Sequence, residues 1–194
     1  MVHLGPRFEE AFLLALRLHE QQRRKGTEIP YISHLMAVCS LALENGASED
    51  QAIAALLHDG PEDQGGHETL TEIELRFGPE VAHIVLGCTD NLSPEKRDWR
   101  TRKEAYLTHL WMAPDDVRLV CASDKLHNAR SILVDYRRDG EATWARFAGG
   151  KAGSLWYYRA LTTIFLQLGP QRIAGELNLV VSELERLAEL SPQK

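Results

Sequence analysis

Apolar residues along this chain recur at intervals of three and four, without a sustained alternation at intervals of two. Phe8, Phe12, Leu13 and Leu16, with His19, fall at helical spacing near the start, and Ile173, Leu177, Val180, Val181, Leu184 and Leu187 do so near the end. No segment alternates apolar and polar residues beyond a few positions, and neither an internal repeat nor a low-complexity stretch is present in the sequence. A chain patterned in this way can bury its apolar stripes only helix against helix. The expected fold class is therefore all-α, with about eight to ten helices.

Glycine, proline and capping residues set the expected bounds. The first helix should cover about residues 6 to 24, broken by Gly26 and Pro30. A second should run from Ser33 to Leu43 or Glu44, where Asn45-Gly46 stops it. Ser48 reads as the N-cap of a third, which carries Ile53, Ala54, Leu56 and Leu57 into His58-Asp59. Gly60-Pro61 should end that helix, because proline disfavours helical geometry at the residue before it. Gln64-Gly65-Gly66 reads as a loop, Thr71 to Phe77 as a short helix, and Pro79 as part of the first turn of the next. Asp90 to Pro94 reads as a loop, Arg97 to Trp111 as a charged helix and Asp115 to Tyr136 as a long one, closed by Asp139-Gly140. A loop marked by Gly149-Gly150 and Gly153 should precede a helix from Leu155 to Leu168, with Gly169-Pro170 before the last helix.

The length of 194 residues suits a single domain spanning 1–194. Within it the chemistry-bearing segments occupy 12–133, and helices over 141–190 are expected to close the fold or a pocket. The formal net charge is −6, which argues against broad nucleic-acid binding, since neutralising many phosphates needs a basic face. A small phosphorylated ligand needs only a local basic pocket. Cys39, Cys88 and Cys121 are odd in number, lie far apart and sit among apolar neighbours, so they read as buried free thiols in a reducing cytoplasm. Charge at Arg7, Glu9 and Glu10 is unlike a signal peptide, and no apolar run is long enough to span a bilayer.

Against this background four short segments carry chemistry: Tyr31-Ile32-Ser33-His34, His58-Asp59, Glu62-Asp63 and Asp124-Lys125-Leu126-His127-Asn128. His34, His58, Asp59 and Asp124 make a mixed nitrogen and oxygen ligand set suited to a divalent first-row metal. Adjacent residues on a regular helix diverge by about 100°, so His58 and Asp59 converge on one ion only where a helix end distorts. Asp124 lies in an otherwise apolar stretch, where a carboxylate is costly unless metal-bound or paired with a cation such as a neighbouring arginine. Asp124 and Asn128 share a helix face. Glu62 and Asp63 would supply the proton-handling groups that a metal-activated water requires. Arg23-Arg24-Lys25 could hold phosphates, or simply be a solvated helix end.

The segments Gln22-Arg23-Arg24-Lys25, Pro30-Tyr31-Ile32-Ser33-His34, Ala55-Leu56-Leu57-His58-Asp59, Glu62-Asp63, Arg76-Phe77-Gly78 and Asp124-Lys125-Leu126-His127-Asn128 occur in the order of a known family. The stretch Phe12 to Leu133 resembles the HD-domain superfamily of metal-dependent phosphohydrolases, and more narrowly the hydrolase domain of RelA/SpoT proteins and the stand-alone small alarmone hydrolases. The resemblance implies a divalent metal, usually manganese, on His34, His58, Asp59 and Asp124. It implies that Glu62 and Asp63 assist attack by water, that Arg23, Arg24 and Lys25 contact the nucleotide, and that Asn128 shapes its pocket. The implied reaction removes the 3′-pyrophosphate of ppGpp or pppGpp to leave GDP or GTP. The chain departs from the family at Gly60-Pro61 and Gln64-Gly65-Gly66-His67, beside the catalytic pairs. An HD-type phosphatase acting on another phosphorylated nucleotide or cofactor is therefore the alternative, and a non-catalytic nucleotide-binding module a third reading.

Three further features have two readings each. Trp99-Arg100-Thr101-Arg102-Lys103 reads as a charged surface helix, or through Lys103 as a phosphate clamp, with Tyr106 able to stack a base. Trp156-Tyr157-Tyr158-Arg159 reads as core or as a pocket wall. His67 could reach substrate from its loop, whereas His19, His83 and His109 read as structural.

Overall fold

A computed structural model of the protein describes residues 2–90 and 98–190. Among them the chain forms α1 (Pro6–Leu18), α2 (Ile32–Glu44), α3 (Glu49–Leu57), α4 (Gly60–Asp63), α5 (His67–Phe77), α6 (Pro79–Cys88), α7 (Trp99–Met112), α8 (Asp115–Asp139), a 3₁₀ helix (Gly140–Arg146), α9 (Gly150–Leu168) and α10 (Gln171–Leu190). The all-α expectation holds: no strand occurs among the described residues, and one isolated bridge joins Arg23 to Pro30.

α3 is the hub. Ser48 caps it in a full capping box, its hydroxyl accepting from Gln51 N–H while the Gln51 side chain accepts from Ser48 N–H. Every residue from Ala52 to Leu57 is buried, so the helix is wrapped on all sides by α1, α2, α6 and α8. Burying a side chain such as Ile53 or Leu56 contributes roughly 1.5–3 kcal/mol. The consequence for function is that the end of α3, where His58 follows Leu57, is fixed by the core. α8 crosses the same core through Val117, Val120, Leu126 and Ala129, and α10 packs on α8 and α9.

Several boundaries differ from the sequence reading. α1 stops at Leu18 rather than near residue 24. Beyond it the backbone pairs across a turn, with Arg24 N–H on Ile29 O and Tyr31 N–H on Gln22 O, which diverts those groups from a helix. The basic run thus sits on a turn, not on a helix end. Gly60-Pro61 does not simply end α3: both residues lie in the first turn of α4, where proline's missing N–H costs nothing. Gly60, lacking a Cβ, tolerates helical geometry before proline. α5 begins at His67 and α9 at Gly150, each earlier than expected. For α7, Asp98 caps Arg100 and Thr101 N–H, so the helix starts at Trp99. The expected loop over 91–94 and a helix start at Arg97 lie outside the described residues.

Candidate metal centre and phosphate cavity

The first turn of α2, the end of α3 and the middle of α8 bring His34, His58, Asp59 and Asp124 together. One ligand atom from each of His34, His58 and Asp59 lies within 4.8 Å of the others. His34 Nε2 is 3.4 Å from Asp59 Oδ2 and 3.3 Å from Asp124 Oδ1. His58 Nε2 is 3.1 Å from Asp59 Oδ2 and 3.8 Å from Asp124 Oδ1. His58 and Asp59 converge because the helix ends there: Asp59 has φ −91° and ψ −7°, off the ideal helix.

Both imidazoles present Nε2 to the same point, and their Nδ1 atoms are already committed. His58 Nδ1 donates to Ala55 O at 2.9 Å, and His34 Nδ1 lies 2.7 Å from His127 Nδ1. Both Nε2 atoms are buried without a hydrogen-bond partner. Two buried ring nitrogens facing two carboxylates call for positive charge between them, either protons on the nitrogens or a metal ion. Burial opposes ionisation of Asp124, yet Lys125 and the two imidazoles hold its carboxyl well below the usual range. Burial likewise opposes ionisation of Asp59, and His58 and His34 hold it low. The donors present therefore fit a divalent metal in kind.

Neighbouring side chains aim the carboxylates. Tyr31 OH donates to Asp59 Oδ2 at 2.7 Å, and burial followed by the Asp59 charge keeps it a phenol. Asn128 Nδ2 donates to Asp124 Oδ1, while Lys125 Nζ contacts Asp124 Oδ2 at 2.6 Å. The cation paired with Asp124 is thus the adjacent lysine and not an arginine. Arg24 in turn donates to Asn128 Oδ1 at 2.7 Å.

A cavity of about 760 Å³ adjoins the cluster through Tyr31, Ser33, Glu62, Lys125, His127 and Asn128. Its cations are Arg24, Lys25, Arg102, Lys103, Lys125, Arg130 and Arg146, which outnumber the carboxylates of Glu62, Asp90 and Asp135, with Trp99, Phe147, Tyr157 and Tyr158 as aromatic wall. Such a concentration of positive charge on an acidic chain, at a size that suits a nucleotide, matches a polyphosphate ligand.

The sequence candidates divide accordingly. Arg24, Lys25, Asn128 and Lys103 line the cavity. Arg23 does not: it is exposed, and its guanidinium donates to Glu20 O and Gln22 O at 3.2 Å. Glu62 lines the cavity, and partial desolvation followed by the Asp59 charge pushes its carboxyl up. Asp63 is outside the lining, accepting from Gln22 Nε2 at 2.8 Å, and burial also raises it. The α7 cluster is more than a surface helix, since Trp99, Arg102 and Lys103 all reach the cavity. Trp99 makes this possible by seating its ring against Gly149, just before α9, and Gly153 in its first turn. Tyr106 is buried, donating to Cys121 Sγ at 3.3 Å, so it stacks no ligand. Tyr157 and Tyr158 are both buried and cavity-lining, while Trp156 instead packs under Arg100. His67 is exposed and outside the lining. His19 is buried, stacks on Tyr31 at 5.0 Å between ring centres and contacts Gln22 through Nδ1 at 2.6 Å. Cys39, Cys88 and Cys121 are buried free thiols, as expected.

Sequence reasoning left Tyr31, Lys125 and His127 without roles, although all three lie inside the quoted segments. Arg130 and Arg146 were also unassigned, and the packing of α8 and the 3₁₀ helix around the cavity identifies them.

A family model for the HD domain matches residues 11–153. The guanosine-3′,5′-bis(diphosphate) 3′-pyrophosphohydrolase MESH1 of Xenopus tropicalis is 39% identical over 126 residues, 63% of this chain and 68% of that protein. Its Drosophila melanogaster counterpart is 32% identical over 150 residues, 72% of this chain and 81% of that one. The bifunctional (p)ppGpp synthase/hydrolase SpoT of Escherichia coli is 34% identical over 141 residues, 68% of this chain but 19% of its own length. A solved structure of a metazoan SpoT ortholog that hydrolyzes ppGpp superimposes with a TM-score of 0.76 at 25% identity, covering 95% of this chain and 98% of that one.

Proposed function

The chain belongs to the HD domain family, and we propose that within it the protein is a metal-dependent hydrolase that removes the 3′-pyrophosphate of (p)ppGpp, leaving GDP or GTP and pyrophosphate. The observation that carries this reading is the junction of a two-histidine, two-aspartate cluster with a cavity holding seven cationic side chains. Relatives named for this activity, one of them 81% covered by the match, support the choice of substrate.

His34, His58, Asp59 and Asp124 would hold the metal, which we take to be Mn²⁺ and which supplies a Lewis acid and an acidified water. The chain's own groups do the rest. Arg24, Lys25, Lys103 and Lys125 neutralise the phosphates and hold them against the cluster. Glu62 Oε2 is occupied by Asp90 N–H at 3.2 Å, which leaves Oε1 to take the proton of the attacking water. Asp63, fixed by Gln22, is assigned the second proton-handling position. Asn128 aligns Asp124 and carries the hydrogen bond from Arg24, so it links the ligand set to the cavity. The aromatic wall of Trp99, Tyr157 and Tyr158 offers faces to the nucleotide. Arg23 has no place in this scheme. The ligand is a small nucleotide rather than a nucleic acid, and the free buried thiols support a cytoplasmic setting. No helix among the described residues is long and apolar enough to cross a membrane.

The test strips metal with a chelator, restores Mn²⁺, Mg²⁺ or Zn²⁺ separately, and offers ppGpp, NADPH, deoxynucleoside triphosphates and nucleoside monophosphates. The reading expects ppGpp to be cleaved best, and with Mn²⁺ most effective. Cleavage of another nucleotide with ppGpp untouched would retain the metal site and replace the substrate.

A further inference from the structure

Asp90 follows α6 and belongs to none of the segments that define the centre, yet it touches both halves of the site. Its backbone N–H donates to Glu62 Oε2 at 3.2 Å. Its side-chain Oδ2 accepts from Arg102 Nη1 at 3.0 Å and from Lys103 Nζ at 2.7 Å. The carboxylate is 7% exposed, so these charge-assisted bonds are shielded from water. Arg102 and Lys103 both line the cavity, as do Glu62 and Asp90 themselves.

We propose that Asp90 is a positioning residue for hydrolysis, tying the cations of α7 to the carboxylate of Glu62 so that substrate phosphates and proton acceptor are held in one register. This inference rests on the function proposed above and adds a residue to it. The reasoning is mechanical. Glu62 lies on α4, a single turn, and its Oε2 hydrogen bond comes from a backbone that α4 does not contain. The segment bearing that N–H is tied to α7 by the side chain of the same residue. Two cations share one carboxylate oxygen, which leaves net positive charge facing the cavity. If the ion pairs go, the N–H on Glu62 loses its brace, and Glu62 Oε2 is free to rotate. A carboxylate misplaced by about an ångström in this way is expected to slow a step that depends on orientation. The other oxygen of Asp90, Oδ1, is buried without a partner among the described residues, and Asp90→Asn preserves shape while removing charge.

The experiment is a double-mutant cycle on the full chain. Pyrophosphate release from ppGpp is measured for the wild type, Asp90→Asn, Glu62→Gln and the double variant, with bound manganese quantified for each. Asp90→Asn should lower kcat by about tenfold or more with metal content unchanged, since a misoriented acceptor acts on the chemical step. On the Glu62→Gln background the same change should lower kcat by less than about twofold, because the group it positions is gone. A merely structural residue would cost the same factor on either background. If Asp90→Asn keeps wild-type kcat, or if its full effect persists without Glu62, the proposal is overturned. Should Asp90→Asn fail to fold, Asp90→Ala removes the same ion pairs without touching a cavity cation, and the cycle is run against Glu62→Gln with the same criteria. A wild-type protein inert toward ppGpp would instead contradict the proposed function, and the cycle would then be run on whichever nucleotide it cleaves.

Discussion

His34 Nδ1 lies 2.7 Å from His127 Nδ1, so the two rings share one hydrogen atom between them. For His34 Nε2 to face a metal as a lone pair, His34 Nδ1 must carry that hydrogen and His127 Nδ1 must accept it. Burial, reinforced by His34 and Arg24, pulls the His127 imidazole down to about 4, so it stays neutral and able to accept at physiological pH. His127→Ala should weaken Mn²⁺ affinity by about 10–100-fold. Competition against a fluorescent chelator measures this, and unchanged affinity would remove His127 from the support of the centre.

Asp124 is the ligand proposed from α8, and Asn128 and Lys125 both contact its carboxylate. Asp124→Ala should abolish stoichiometric metal binding and activity together. Metal analysis of the purified variant is sufficient, and full occupancy would exclude Asp124 from the ligand set.

Replacing Glu62 with Gln should lower kcat by roughly a hundredfold or more, with metal still bound, as for a lost proton acceptor. Turnover near that of the wild type would assign the proton to another group.

Arg24 and Arg23 are adjacent in sequence and opposite in expected effect. Arg24 lines the cavity and donates to Asn128, whereas Arg23 bonds only to carbonyls of its own turn. Arg24→Gln should raise KM by about tenfold, the scale of one charge-assisted hydrogen bond, and the loss should be steepest at low salt. Arg23→Gln should shift KM by less than about twofold. Equal effects from the two substitutions would contradict the placement of the turn.

How much of this was readable beforehand follows from the physics of each element. The clustering of His34, His58, Asp59 and Asp124 was legible from the order of the segments that carry them and from Asp124, a carboxylate in an apolar helical stretch that is costly to bury without a partner. The division between Arg23 and Arg24 was not, since it depends on a turn whose backbone pairs Gln22 and Arg24 with residues Ile29 and Tyr31. Helical periodicity alone carried α1 too far, because it does not register that competing pairing. Gly60-Pro61 was read as a stop when proline also suits a first turn. The reach of Trp99, Arg102 and Lys103 into the cavity depends on Gly149 and Gly153 at the start of α9, about fifty residues further along, leaving room for an indole.

That last relationship gives a stability test. A Cβ on Gly149 would lie 2.5 Å from Trp99 Cη2, too close without movement of the ring. Gly149→Ala should destabilise the fold by about 1–3 kcal/mol, as overpacking does. Urea unfolding measures it, and an unchanged midpoint would show that Trp99 is not seated in that notch.

The central claim is that the bond broken joins the ribose 3′-oxygen to a diphosphate. It is tested most directly by giving the manganese-loaded protein ppGpp that carries a radiolabel on the distal 3′ phosphate and separating the products. The account predicts that all released label migrates as pyrophosphate while GDP accumulates in equal amount. Label released as orthophosphate, or retained on the nucleotide while another site is cut, would contradict it.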